Sequence, residues 1–226
     1  TPTALAEAAE RIASEGGKNI SVKILEQKDC EELGMGAYLA VAQGSDHPPK
    51  FIHLTYKPER ETKKRLVVVG KGVTFDSGGL SLKPADAMIS MKCDMAGAAT
   101  VLGLFTAIGQ LQPRIEIHGI VAAVENMPSG KAIRPGDIVK ASNGKTIEIL
   151  NTDAEGRLTL ADALTYGVKL EPTAMIDLAT LTGACMVGLG EEITAVMGNN
   201  EDFTAQIMES ADDAGEKMWR MPLEKR

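Results

Sequence analysis

Between residues 66 and 108 three kinds of sequence follow one another: a short β-branched apolar run, a glycine-rich stretch with acids and lysines, and a long apolar run of helical periodicity. The same order recurs from 146 to 170, where a strand-like run, the polar cluster 151–157 and a second helical pattern follow in turn. Strands alternating in this way with helices restrict the chain to an α/β fold, a mixed β-sheet sandwiched between helices. They also restrict where chemistry can sit, because open α/β sheets place ligands at strand ends that feed glycine-rich loops.

The rest of the chain fills in that outline. Residues 4–14 read as a helix begun at Thr1-Pro2-Thr3 and ended by Gly16-Gly17. Strands are expected at 20–26, 38–42, 51–56, 66–69, 115–125, 174–178 and 193–197, and helical segments at 29–33, 95–108, 158–170 and 203–214. The strands at 66–69 and 174–178 read as buried, and Gly70-Lys71-Gly72 as a loop fed by the first of them. Asn143-Gly144 signals a hairpin with a two-residue turn between 138–141 and 146–150. The stretches 57–64 and 126–130 read as a solvated charged turn and a loop. The ending 219–226 carries no stop signal, so the domain is expected to continue past it.

At 226 residues the chain suits one large domain or two small ones. Its net charge of −7 argues against nucleic acid or an anionic membrane as partner. No apolar run approaches the ~20 residues of a membrane span, no signal peptide opens the chain, and three cysteines without ligand spacing suit a cytoplasmic location.

The two polar clusters together hold Asp76, Asp94, Asp153 and Glu155, with Lys71, Lys83 and Arg157 as cations. Carboxylates gathered this closely repel one another unless positive charge lies among them. Two divalent ions would use all four acids, and a carboxylate can bridge ions ~3.5–4 Å apart, an arrangement suited to hydrolysing an amide or ester. Oxygen-dominated ligands point to Zn2+ or Mn2+. His47, His53 and His118 stand outside both clusters and read as ordinary core or surface residues. The bland alternative makes Asp94 and Asp153 helix caps. Cys93, with no histidine near it in sequence, reads as a small packed residue. The P-loop spacing and the G-x-S-x-G elbow are both absent. A two-metal phosphoesterase would share the carboxylates but would want more basic residues and histidines.

VGKGVTFDSGG at 69–79 and NTDAEGRLTLADAL at 151–164 resemble the paired signatures of the leucine aminopeptidase family, the two-metal cytosolic aminopeptidases. ENMPSGKAIRPGD at 125–137 and ATLTGA at 179–184 extend the resemblance over nearly the whole chain. It implies a zinc-peptidase fold of phosphorylase/hydrolase-like type, with 1–226 as a catalytic domain lacking its C-terminal part and the family's N-terminal domain absent. It implies peptide substrates with leucine-like first residues, and a homohexamer for the full-length chain. Carried over residue by residue, it assigns Lys71, Asp76, Asp94 and Glu155 to one ion. Asp76, Asp153 and Glu155 fall to the other, with the Asp153 carbonyl as a further ligand and Asp76 and Glu155 as bridges. It makes Lys83 the group that stabilises the gem-diolate formed by attack of a metal-bridged water, and Arg157 the holder of a bicarbonate general base. Met91 and Thr180 would line the pocket for the first side chain, and the Leu181 backbone would bind substrate. Ala96 stands where many relatives have glycine, and some relatives bind DNA in a regulatory role, which the −7 charge disfavours here.

Overall fold

The computed structural model describes residues 1–224 and divides into two units, 1–180 and 181–226. In the first unit, α1 (Pro2–Glu15), begun by the Thr1 hydroxyl accepting from the Ala4 amide, leads to β1 (Ile20–Leu25). The short helices α2 (Gln27–Glu32) and α3 (Gly36–Ala42) follow, then β2 (Lys50–Tyr56) and β3 (Arg65–Asp76). A one-turn helix, α4 (Ala85–Met88), and a 3₁₀ turn at Met91–Cys93 precede α5 (Ala96–Leu111) and β4 (Glu116–Asn126). The hairpin β5 (Ile138–Lys140) and β6 (Thr146–Glu148), α6 (Glu155–Val168) and β7 (Ala174–Leu178) complete the unit.

Five strands form one mixed sheet in the order β1-β2-β4-β3-β7, with β4, β3 and β7 parallel and β1 and β2 antiparallel to their neighbours. Period-2 alternation divides the apolar residues of the inner strands between two cores. Phe51, Val67, Val69, Ile120 and Val124 join Tyr38, Val41 and Leu160 on one face. Ile52, Val68 and Val121 join Leu5, Ala9, Val101 and Phe105 on the other. Helices on both faces explain why β3 and β4 read as nearly continuous apolar runs. The sandwich expected from the sequence is therefore the one observed.

Several local expectations need correction. Residues 38–42 form most of α3, not a strand. GAYLAVA is apolar throughout, and in so short a run periodicity cannot separate a strand from a buried helix. One amide of its first turn is met from far away: Asp162 on α6 accepts from the Tyr38 amide at 2.9 Å and, with its other oxygen, from the amide of Ser142 in the β5–β6 turn at 2.7 Å. Gly70-Lys71-Gly72 is strand interior, since β3 runs on to Asp76. β7 is half-buried at the edge of the sheet, not buried. The β5–β6 turn has three residues, 142–144. The Gly144 amide donates to the Ala141 carbonyl at 2.8 Å, and the φ of +87° at Gly144 lets the chain re-enter the ladder. Cys93 is exposed. The stretch Ala85–Leu111 is apolar and long enough to cross a membrane by composition, contrary to expectation, but α5 within it packs Val101, Leu102, Phe105 and Ile108 into the core.

At the end of the sheet where β3 begins, His53 and His118 face each other across β2 and β4, with Nε2 of the first 2.9 Å from Nδ1 of the second. The Tyr166 hydroxyl lies 3.0 Å from His53 Nδ1, and Glu116 lies 3.2 Å from His118 Nε2. Burial, His118 and then Lys23 push the His53 imidazole down to about 4. Burial also lowers His118, against the pull of Glu116. His53 is therefore neutral in the folded protein at pH values where an unfolded histidine, near ~6.5, gains a proton. The stability this supplies is complete above ~6.5 and is lost as pH falls toward 4. The stability advantage of wild type over His53→Gln is expected to shrink by about 2 kcal/mol between pH 7 and 4.5 in denaturant titrations, and a constant difference would refute this.

The second unit holds α7 (Ala184–Leu189), β8 (Thr194–Val196), α8 (Glu201–Ala214) and β9 (Met218–Arg220). The Asn200 side chain caps α8, accepting from the Phe203 amide at 2.9 Å. The strand expected at 193–197 is present as β8, and it pairs in parallel with β9, a further strand that leads into the ending 219–226. Residues 225 and 226 of that ending lie outside the described residues.

Candidate metal centre

The acids and lysines picked out in the sequence meet at the C-terminal end of β3. Lys71 lies inside that strand and is 2% exposed, and its neighbours leave room for it. A Cβ on Gly156, in the first turn of α6, would lie 2.6 Å from Lys71 Cε, so the glycine leaves the lysine side chain its present path. Lys71 Nζ reaches Asp94 Oδ1 at 2.8 Å, Glu155 Oε1 at 2.9 Å and the Thr180 carbonyl at 2.9 Å. The Thr180 hydroxyl also donates to Asp94 Oδ1 at 2.8 Å.

Asp76 ends β3 just beyond a bulge. Between the pairs Val73–Val124 and Asp76–Asn126, two residues of β3, Thr74 and Phe75, run beside one of β4, Glu125, which brings Asp76 rather than Phe75 level with Asn126. The chain then turns sharply through Gly78 and Gly79, at φ +84° and +63°, where side chains are disfavoured. Lys83, beyond the turn, places Nζ 3.0 Å from Asp76 Oδ2 and 2.6 Å from Asp153 Oδ1. Asp94 and Asp153 do not act as helix caps: the residues capping α5 and α6 are Met95 and Ala154, and neither makes a side-chain cap bond. Glu155 opens α6, where the helix dipole favours an anion.

The electrostatics follow from burial. Desolvation pushes the Glu155 carboxyl up to about 7, against the opposing pull of Lys71. Asp94 is raised for the same reason, again with Lys71 opposing. Burial alone would lower the Lys71 ammonium, but Glu155 and Asp94 outweigh it and hold it above its ordinary value. Lys83 likewise stands above its ordinary value, its hydrogen bonds to Asp153 and Asp76 overcoming burial. Two lysines thus offset only part of the charge of four carboxylates. Asp94 Oδ2 and Glu155 Oε2 are buried with no hydrogen-bond partner among the described residues. Buried carboxylate oxygens are costly to leave unpaired. Asp76, Asp153 and Glu155 can also each offer a ligand atom within 4.8 Å of the others. Unpartnered oxygens beside converging carboxylates fit divalent cations.

Arg157 is exposed on the first turn of α6 and Met91 is half-buried in the 3₁₀ turn before Asp94, while Leu181 belongs to the second unit. Ala96 exposes its methyl, so its place in the chain disturbs no packing. Two residues that the sequence reading passed over hold the clusters together. Asn126, read there as loop, ends β4 and donates to Asp76. Thr152 is fully buried and donates through its hydroxyl to the Gly78 carbonyl at 2.6 Å. The strand-end rule that selected Asp76 on β3 would have selected Asn126 too, had β4 been recognised as the neighbouring parallel strand.

The family profile described as "Cytosol aminopeptidase family, catalytic domain" matches residues 1–226. A probable cytosol aminopeptidase of Gloeobacter violaceus is 59% identical over 225 residues, covering 99% of this chain and 44% of that protein. One from Sulfurihydrogenibium sp. is 58% identical over 218 residues, covering 96% of this chain and 43% of the relative. Among solved structures, a tomato leucine aminopeptidase mutant superposes with a TM-score of 0.92 at 54% identity, covering 100% of this chain and 43% of that one. The chain therefore spans less than half the length of the relatives it matches.

Proposed function

The chain belongs to the cytosol aminopeptidase family, and from that premise we propose that it is the metal-binding part of a two-metal aminopeptidase that removes leucine-like N-terminal residues from peptides. The observation that carries this reading is the convergence of four carboxylates and a buried lysine at one strand end, with two carboxylate oxygens left unpartnered. Lys71, Asp76, Asp94 and Glu155 would hold one Zn2+ or Mn2+ ion. Asp76, Asp153 and Glu155, with the Asp153 carbonyl, would hold the other. Bound ions of this kind polarise a carbonyl and acidify water.

The remaining roles belong to the protein's own groups. Lys71 can ligate only as the neutral amine, so it gives up its proton on loading. A peptide's free amino terminus is a ligand of the same kind, which favours cleavage at the end of a chain over cleavage within it. Lys83 meets the oxyanion that forms as the scissile carbonyl becomes tetrahedral. Arg157 would hold a bicarbonate ion, which would supply a general base. Met91 and Thr180 receive the first side chain, and the Leu181 backbone aligns the peptide. The full-length protein is proposed to assemble as a cytoplasmic homohexamer.

The lysines provide the test. In full-length protein assayed on a leucyl amide, Lys83→Ala is expected to lower turnover by roughly 100–1,000-fold with metal content close to wild type. Lys71→Ala is expected to lose metal itself. Equal metal loss in both variants would remove the division of labour, and hydrolysis of a phosphomonoester in place of the amide would overturn the substrate class.

A further inference from the structure

We propose that Asn126 is a positioning residue of the metal centre, whose amide fixes the Asp76 carboxylate and ties it to the turn carrying Asp153; this rests on the two-metal reading above. Asn126 is 3% exposed, and the β3 bulge sets it level with Asp76. Its Nδ2 donates to Asp76 Oδ1 at 2.8 Å and to the Thr152 carbonyl at 3.1 Å. Both partners can only accept, so the amide has one orientation: its NH2 lies between them. The Gly78 amide donates to the same Asp76 oxygen at 2.9 Å. Two donors on Oδ1 set the plane of the carboxylate and turn Oδ2 toward the centre, where Lys83 lies 3.0 Å away.

The Asn126 backbone adds a third attachment. Its carbonyl accepts from the Ser77 amide at 3.1 Å and the Ser77 hydroxyl at 2.8 Å. The turn at Gly79 closes over the side chain, because a Cβ there would lie 2.9 Å from Asn126 Oδ1. One residue thus joins the end of β3, the glycine turn and the start of the second acidic cluster. Asp76 is the ligand proposed to serve both ions, so its orientation governs both. Groups that orient a ligand in this way typically change metal affinity by about 10–100-fold when removed.

The experiment titrates metal-free, full-length protein with Mn2+, following free ion by electron paramagnetic resonance, for wild type, Asn126→Ala and Thr152→Ala. Thr152→Ala is the comparator. It cuts hydroxyl bonds to the Gly78 carbonyl and the Ser81 amide in the same loops but leaves the Asp76 carboxylate untouched. Asn126→Ala is expected to weaken both Mn2+ sites about 10–100-fold, and Thr152→Ala less than about threefold at a comparable loss of thermal stability. If alanine at 126 prevents folding, Asn126→Ser, too short to reach Asp76, takes its place with the same expectation. Wild-type affinity in the Asn126 variant, or an equal loss in Thr152→Ala, overturns the positioning role alone. Wild type that takes up no Mn2+ overturns the two-metal reading, and this assignment with it.

Discussion

Asp76→Ala is expected to leave the protein folded, to empty both metal sites and to lower turnover by about a thousandfold or more. The side chain is 3% exposed and accepts from Gly78 and Asn126 while facing Lys83, so every oxygen position it offers is already directed. Its loss removes a ligand proposed to serve both ions, which leaves too little negative charge to hold two divalent cations side by side. Electrostatic stabilisation worth several kcal/mol goes with them, and each 1.36 kcal/mol is about a factor of ten in rate. The fold should survive, because removing one carboxylate also relieves the repulsion it exerts on Glu155. Elemental analysis after dialysis gives metal per chain, with two expected for wild type. Two ions retained in Asp76→Ala would end the bridging assignment.

Gly97→Ala is expected to be the most damaging single methyl addition to the fold near the centre. Alanine normally stabilises a helix interior by ~1 kcal/mol over glycine. Here a Cβ would lie 2.0 Å from the Leu178 carbonyl oxygen and 2.9 Å from the Lys71 amide nitrogen. Both are backbone atoms of the sheet and cannot swing aside. α5 would have to lift from β3 and β7, taking Asp94, three residues upstream of Gly97, away from Lys71. The net cost should be about 3 kcal/mol, or a fall of roughly 6–12 °C in the unfolding midpoint for a domain of this size. A midpoint equal to or above that of wild type would show that α5 does not approach the sheet as described.

The sheet, its two helical layers and the acid and lysine set were legible in the sequence for a physical reason. Runs such as 66–69 and 115–125 carry their burial in composition, and glycines with acids at strand ends mark places where the backbone turns beside a site. What could not be read depends on distant partners. The glycines around Lys71 read as a loop because glycine usually marks one, yet they keep β3 regular while admitting α5: a Cβ on Gly70 would lie 2.5 Å from the Gly97 carbonyl oxygen. Asn126 was passed over because its role depends on the register of β3 against β4 and on a bulge that no local pattern announces. The contact between Thr180 and Asp94 spans 86 residues and is equally silent in the sequence.

The tie between Tyr38 and Asp162 also has a meaning in time. The two residues are 124 apart in sequence. At about 5–20 residues per second, roughly 6–25 s pass during synthesis between the emergence of one and of the other. Throughout that interval the segment Gly36–Ala42 is a seven-residue apolar stretch whose Tyr38 amide lacks the carboxylate that will satisfy it. Its composition leaves helix and strand nearly balanced, and the carboxylate that favours the helix is supplied only with α6. A nascent chain held at that stage exposes a segment open to pairing with any free strand edge nearby.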